Sequence, residues 1–191
     1  MQKTLLLSAF ASCLLLANSA QAEVNITGLA NSCNNCHGAN GVSAGESMPS
    51  IGGLPEAYLK NIMMEWKSGA RYSATMGRLI KGYTEEEISA LAAHFSKKPW
   101  VPVKQKTDAK LVSAGKKVAE KCSGCHGDTG KSEDAETPSL NGQWTQYMEL
   151  ELMKYRDEAV TMPHKKMRGA AMKAGEADGN AAAEFFASQK K

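Results

Sequence analysis

Apolar positions in this chain gather into one continuous run, Leu5 to Ala17, and show no strand-like alternation anywhere. The run follows Lys3 and leads to Ala20-Gln21-Ala22, a small-residue cleavage site. Residues 1–22 therefore read as a secretory signal peptide, and the chain from Glu23 onward as an exported, periplasmic protein. The run is too short to span a bilayer. Cys13 leaves with the signal; acylation of Cys13 as a lipoprotein anchor fits less well, because Phe10 is a poor residue for such a site.

The remaining pattern predicts three helices, met twice. They fall near residues 26–36, 55–69 and 84–96, and again near 108–124, 143–158 and 178–188. Thr84 with Glu87 forms a capping box that marks the start of the third helix. In the second series Gly175 and Gly179 lie close to the expected first turn, which predicts a shorter or more mobile helix there. With no strand predicted, the fold class is all-α.

The doubling extends to individual residues. Cys33-Asn34-Asn35-Cys36-His37-Gly38 recurs as Cys122-Ser123-Gly124-Cys125-His126-Gly127, displaced by 89 residues. At the same offset Pro49-Ser50-Ile51 matches Pro138-Ser139-Leu140, Gly53 matches Gly142 and Tyr58 matches Tyr147. With the offset grown to 91, Met76 falls on Met167 and Phe95 on Phe186. Between the copies, Lys97 to Lys106 holds two prolines and four lysines without an amphipathic period, so it reads as an extended linker. The predicted organisation is a first domain over 23–97, a linker over 98–107 and a second domain over 108–191.

Composition narrows the function classes. Of 191 residues, 23 are Lys or Arg and 20 Asp or Glu, and the resulting charge of +3 lacks the basic excess of a nucleic-acid binder. An apolar fraction of 42% with 23% charged residues argues against both a disordered tail protein and a multispanning membrane protein. Lys104, Lys106, Lys110, Lys116, Lys117 and Lys121 make a locally basic stretch, read as a solvated helix face rather than a docking patch.

Each C-x-x-C-H unit carries the candidate chemistry. Cysteines at i and i+3 with a histidine at i+4 project from one side of a helix of about 3.6 residues per turn. Three side chains so placed face one object: in c-type haem attachment two thiols add to the porphyrin vinyl groups and the adjacent imidazole ligates the iron. Zinc would leave both histidines unexplained and would have to join pairs 89 residues apart. A thioredoxin-like redox pair needs a βαβ context, and a plain disulfide gives no reason for His37 and His126. The expectation is two covalent haem c groups on Cys33, Cys36, Cys122 and Cys125, with His37 and His126 as iron ligands.

Candidates for the second axial position are Met76 and Met167, which occupy equivalent places. Met162 and His164 compete with Met167. His94 has no histidine counterpart, since Phe185 stands at its place, and reads as structural. A thioether ligand favours reduced iron and fills the coordination sphere, so the expected role is outer-sphere electron transfer with no catalytic residue of the chain's own. Tyr58, Trp66, Arg71, Trp144 and Tyr147 are candidates to contact haem propionates or to pack in the core.

These residues resemble a dihaem class I cytochrome c with two fused domains. More narrowly, the chain is similar to the cytochrome subunits of flavocytochrome c sulfide dehydrogenases. The narrower likeness rests on Met76-Gly77-Arg78-Leu79-Ile80-Lys81-Gly82-Tyr83, Pro102-Val103-Lys104-Gln105, Gly142-Gln143-Trp144-Thr145-Gln146-Tyr147, Lys165-Lys166-Met167 and Phe185-Phe186-Ala187-Ser188-Gln189. That resemblance implies His37 with Met76 on one iron and His126 with Met167 on the other. It also implies a separate FAD-containing flavoprotein partner that oxidises sulfide, and a further soluble cytochrome or oxidase as acceptor. The alternative is a free dihaem carrier of the cytochrome c4 kind.

Overall fold

The computed structural model describes residues 24–190, so the signal sequence and Cys13 lie outside the described residues. Among the described residues every regular element is helical. In the first half these are α1 (Ile26–His37), α2 (Glu56–Ser68), the one-turn α3 (Met76–Leu79) and α4 (Glu85–Ser96). The second half holds α5 (Ala109–Ala119), α6 (Ser123–His126), α7 (Thr145–Arg156) and α8 (Lys165–Ser188). No helix among them is long and apolar enough to cross a membrane.

Local chemistry explains the boundaries. The Asn25 side chain accepts from Gly28 N–H at 3.1 Å and opens α1. Thr84 and Glu87 form the reciprocal box expected at the start of α4, with bonds of 2.8 and 3.2 Å. Asp108 caps α5 by accepting from Lys110 and Leu111 N–H. Two of the three glycines of the last helix, Gly175 and Gly179, act differently from expectation. Gly175 takes φ 73° and breaks α8, whereas Gly179 is an ordinary helical residue whose open face lies against Arg156 and Leu152 of α7. The lost side chain there lets two helices approach, and the helix runs on to Ser188 instead of fraying.

Each hydrophobic cluster is built within one half. Ala30, Leu54, Leu59, Leu91, Ala92 and Phe95 form the first. Val118, Ala119, Met148, Ala182, Ala183, Phe186 and Ala187 form the second, with a satellite of Tyr155, Met162 and Ala171. The α5–α8 crossing is close enough that a Cβ on Gly115 would lie 1.8 Å from the Ala181 carbonyl oxygen. Matched bonds repeat across the halves: Gly53 N–H donates to Phe95 O at 2.9 Å, and Gly142 N–H to Phe186 O at 2.8 Å.

Residues 99–108 run without helix, and the second half straps them down. Trp100 Nε1 donates to Asn141 O, Val103 N–H to Gly142 O and Gln105 Nε2 to Gln143 O, each at 2.8 Å. The halves also clasp each other directly. Tyr58 N–H at the start of α2 donates to Ala135 O, and Trp144 Nε1 at the start of α7 donates to Ser43 O, each reaching the loop that follows the other half's C-x-x-C-H unit. Between them lies a buried polar group. Arg71, 5% exposed, donates to Glu65 at 2.8 Å and to the Tyr155 hydroxyl at 2.9 Å, with Glu151 at 3.8 Å.

Candidate haem sites

Cys33, Cys36 and His37 occupy the end of α1, whose helical path sets all three on one side. In the second copy the chain breaks briefly between α5 and α6, and Cys122 becomes the N-terminal flank of the turn that carries Cys125 and His126. The exposure order is nevertheless identical. Each first cysteine is half-buried, each second is exposed and each histidine is buried. None of the four cysteines pairs with another among the described residues, which leaves each sulfur to a vinyl group. Burial pushes the Cys33 and Cys122 thiols up from their ordinary value.

Both helices end on a glycine in the left-handed region, Gly38 at φ 76° and Gly127 at φ 77°. A Cβ would meet the Val42 carbonyl oxygen at 1.9 Å or the Lys131 carbonyl oxygen at 2.3 Å, so no other residue makes this turn without backbone movement. The loops that follow bring Pro49 O to His37 Nδ1 at 2.8 Å and Pro138 O to His126 Nδ1 at 3.0 Å. A carbonyl only accepts, so Nδ1 carries the hydrogen and Nε2 keeps its lone pair. Burial pulls both imidazoles below their ordinary value, against the opposing pull of those hydrogen bonds, and favours the neutral form that binds metals.

The methionine candidates separate by environment. Met76 opens α3, its N–H held by Ser73 Oγ at 3.1 Å. Met167 lies in the first turn of α8, and both side chains are half-buried. Met162 packs with Tyr155 and Ala171 at 7% exposure, and Met167 lies against the edge of the same cluster. His164 pairs with Glu65 of the first half at 3.0 Å. His94 packs edge-on against Phe95 inside α4.

The general profile of the cytochrome c family matches residues 112–190. A cytochrome c4 of Azotobacter vinelandii is 32% identical over 166 residues, covering 76% of this chain and 78% of the relative. The chain belongs to the cytochrome c family. The cytochrome subunit of sulfide dehydrogenase from Chlorobaculum tepidum is 44% identical over 64 residues, 34% of this cytochrome and 57% of the relative. The solved reduced cytochrome c4 of Pseudomonas stutzeri superposes with a TM-score of 0.77 at 25% identity, covering 86% of this chain and 96% of that one. The fold is therefore two cytochrome domains in tandem, and the protein is a dihaem electron carrier whose haem c groups are covalently attached.

The residues present fit such groups. Two imidazoles with Nδ1 already engaged offer Nε2, a pair of cysteines stands beside each, and Trp66 Nε1 on α2 is buried without a hydrogen-bond partner among the described residues, a donor suited to a carboxylate such as a haem propionate. Other propionate candidates are engaged by protein: Arg71 by Glu65 and Tyr155, and Trp144 by Ser43. Burial drives the Tyr58 and Tyr147 phenols well above their ordinary range, close enough to Arg71 and Glu151 to feel both charges. Glu65, Glu151 and Tyr155 carry no signal in the sequence, because a cluster assembled from α2 and α7 of opposite halves leaves no local spacing to find.

Proposed function

We propose that Cys33, Cys36, His37 and Met76 hold one haem c and Cys122, Cys125, His126 and Met167 the other, within domains 23–97 and 108–191 joined by the linker 98–107. The matched hydrogen bonds from the histidine Nδ1 atoms to Pro49 O and Pro138 O carry this reading. Each sets the tautomer and ring plane of an axial ligand. Met76 and Met167 are favoured by their shared place in the first turn of a helix. Met162 is buried at 7% exposure inside the cluster against whose edge the half-buried Met167 packs, and His164 is paired with Glu65. The haems supply one-electron redox chemistry; the chain anchors them, excludes water from the histidine side and sets their separation by clasping the two halves together.

The donor we assign is an FAD-containing flavoprotein that oxidises sulfide in the periplasm, with a soluble cytochrome or oxidase downstream and residues 1–22 removed on export. This finer reading rests on the 44% identity to a sulfide dehydrogenase cytochrome subunit and on the sequence segments described above. A free cytochrome c4-like carrier to a terminal oxidase is the second reading, favoured by the likeness to a cytochrome c4 over 76% of the chain. Sulfide should reduce the isolated cytochrome slowly and a complex with the flavoprotein quickly. Equal rates, or failure of any flavoprotein to co-purify, would leave the free-carrier reading.

A further inference from the structure

The peptide that orients the first histidine is held from behind by the other half of the molecule. Pro49 C=O, which accepts from His37 Nδ1, belongs to the same peptide unit as Ser50 N–H. That N–H donates to Gln143 Oε1 at 3.0 Å, and Gln143 Nε2 returns a bond to Ser50 O at 2.9 Å. Gln143 Oε1 also accepts from Trp144 N–H at 3.1 Å, so two N–H groups face one end of the amide and a carbonyl the other, which fixes its orientation. The clamp is dry: Ser50 is 1% exposed and Gln143 2%.

We propose that Gln143 is a positioning residue through which the second domain tunes the redox poise of the first haem. The proposal rests on the assignment of His37 as an axial ligand. His37 Nδ1–H, the Pro49–Ser50 peptide and Gln143 form one hydrogen-bonded chain, and bonds in such a chain polarise one another. An acceptor on Ser50 N–H makes Pro49 O a stronger acceptor, which makes the imidazole a stronger electron donor and favours oxidised iron. The second haem lacks the device. The place of Gln143 in the first half is Leu54, and Ser139 N–H, behind Pro138, makes no hydrogen bond among the described residues, with Ser139 half-buried.

The test uses the intact dihaem cytochrome. In the oxidised wild type, nuclear magnetic resonance should find hyperfine-shifted ring signals from both histidines, with the His37 Nδ1 proton exchanging with solvent more slowly than that of His126. Gln143→Met keeps length and volume while removing both polar atoms. It should retain two haems, speed exchange of the His37 proton, and move the electron-sharing equilibrium between the haems toward the first by roughly two- to threefold, with the second haem's potential unchanged. An unchanged first haem, or equal shifts of both haems, overturns the proposal. If Gln143→Met fails to fold, the wild-type comparison decides: equal exchange rates at the two histidines reject it. Absence of hyperfine-shifted His37 signals would instead overturn the ligand assignment beneath it.

Discussion

Replacing Arg71 with Met tests whether the buried polar cluster holds the two halves together. The guanidinium is 5% exposed, bonded to Glu65 and Tyr155, and lies 5.5 Å from the centre of the Tyr155 ring. Met replaces much of its apolar length but none of its donors, leaving a Glu65 side chain only 19% exposed and a buried phenol. Removing one partner of a buried pair costs about 3–5 kcal/mol. The low end applies here, because His164 still reaches Glu65 at 3.0 Å. A loss of about 3 kcal/mol corresponds to a drop of roughly 6–12 °C in melting temperature for a chain of this size. Chemical denaturation of the holoprotein followed by circular dichroism measures it, and a double-mutant cycle with Glu65→Gln isolates the pair. A loss under about 1 kcal/mol, in the range of an exposed ion pair, would refute the view that this cluster is a structural clasp.

Met76→Ala should abolish the thioether-to-iron absorption of one haem and leave the other intact; an unaltered spectrum would exclude Met76 as ligand. Gly115→Ala should destabilise by more than the usual overpacking cost of about 1–3 kcal/mol, since its Cβ would meet the Ala181 backbone. Gly169→Ala, where nothing lies within 4 Å of the new Cβ, should stabilise by about 0.5–1 kcal/mol; similar melting temperatures for the two variants would contradict the crossing geometry. Burial raises the Tyr58, Tyr147 and Tyr155 phenols in the folded state. Their protonated form is thus favoured by folding, and stability should hold below about pH 10, the unfolded phenol value, and fall as pH rises above it. Denaturation midpoints at about pH 8 and about pH 11 check this, and no fall between them would count against the buried assignment.

Much of the site was legible because its parts are close in sequence. The C-x-x-C-H units, the glycines after them and the capping box at Thr84 each act within a few residues, where spacing alone fixes which side chains share a face. Met76 and Met167 were picked out by repeat position, and both lie in a first helical turn. The break at Gly175 was less legible, because glycine in a sequence marks either a helix break or a close approach. Here Gly175 does the first and Gly179 the second, and only the neighbouring α7 distinguishes them.

Sequence alone determined that this is a duplicated, all-helical chain with two haem-attachment units, since covalent chemistry and helical period need no knowledge of distant residues. The tertiary structure decided how the copies meet. Trp144 and Gln143 act across the join on Ser43 and Ser50, and Arg71 leaves its own half to bond Tyr155. These partners lie 84 to 101 residues apart, and no local periodicity encodes them. They follow from burial: these polar groups, shut away from water at the join, find partners on the opposite half.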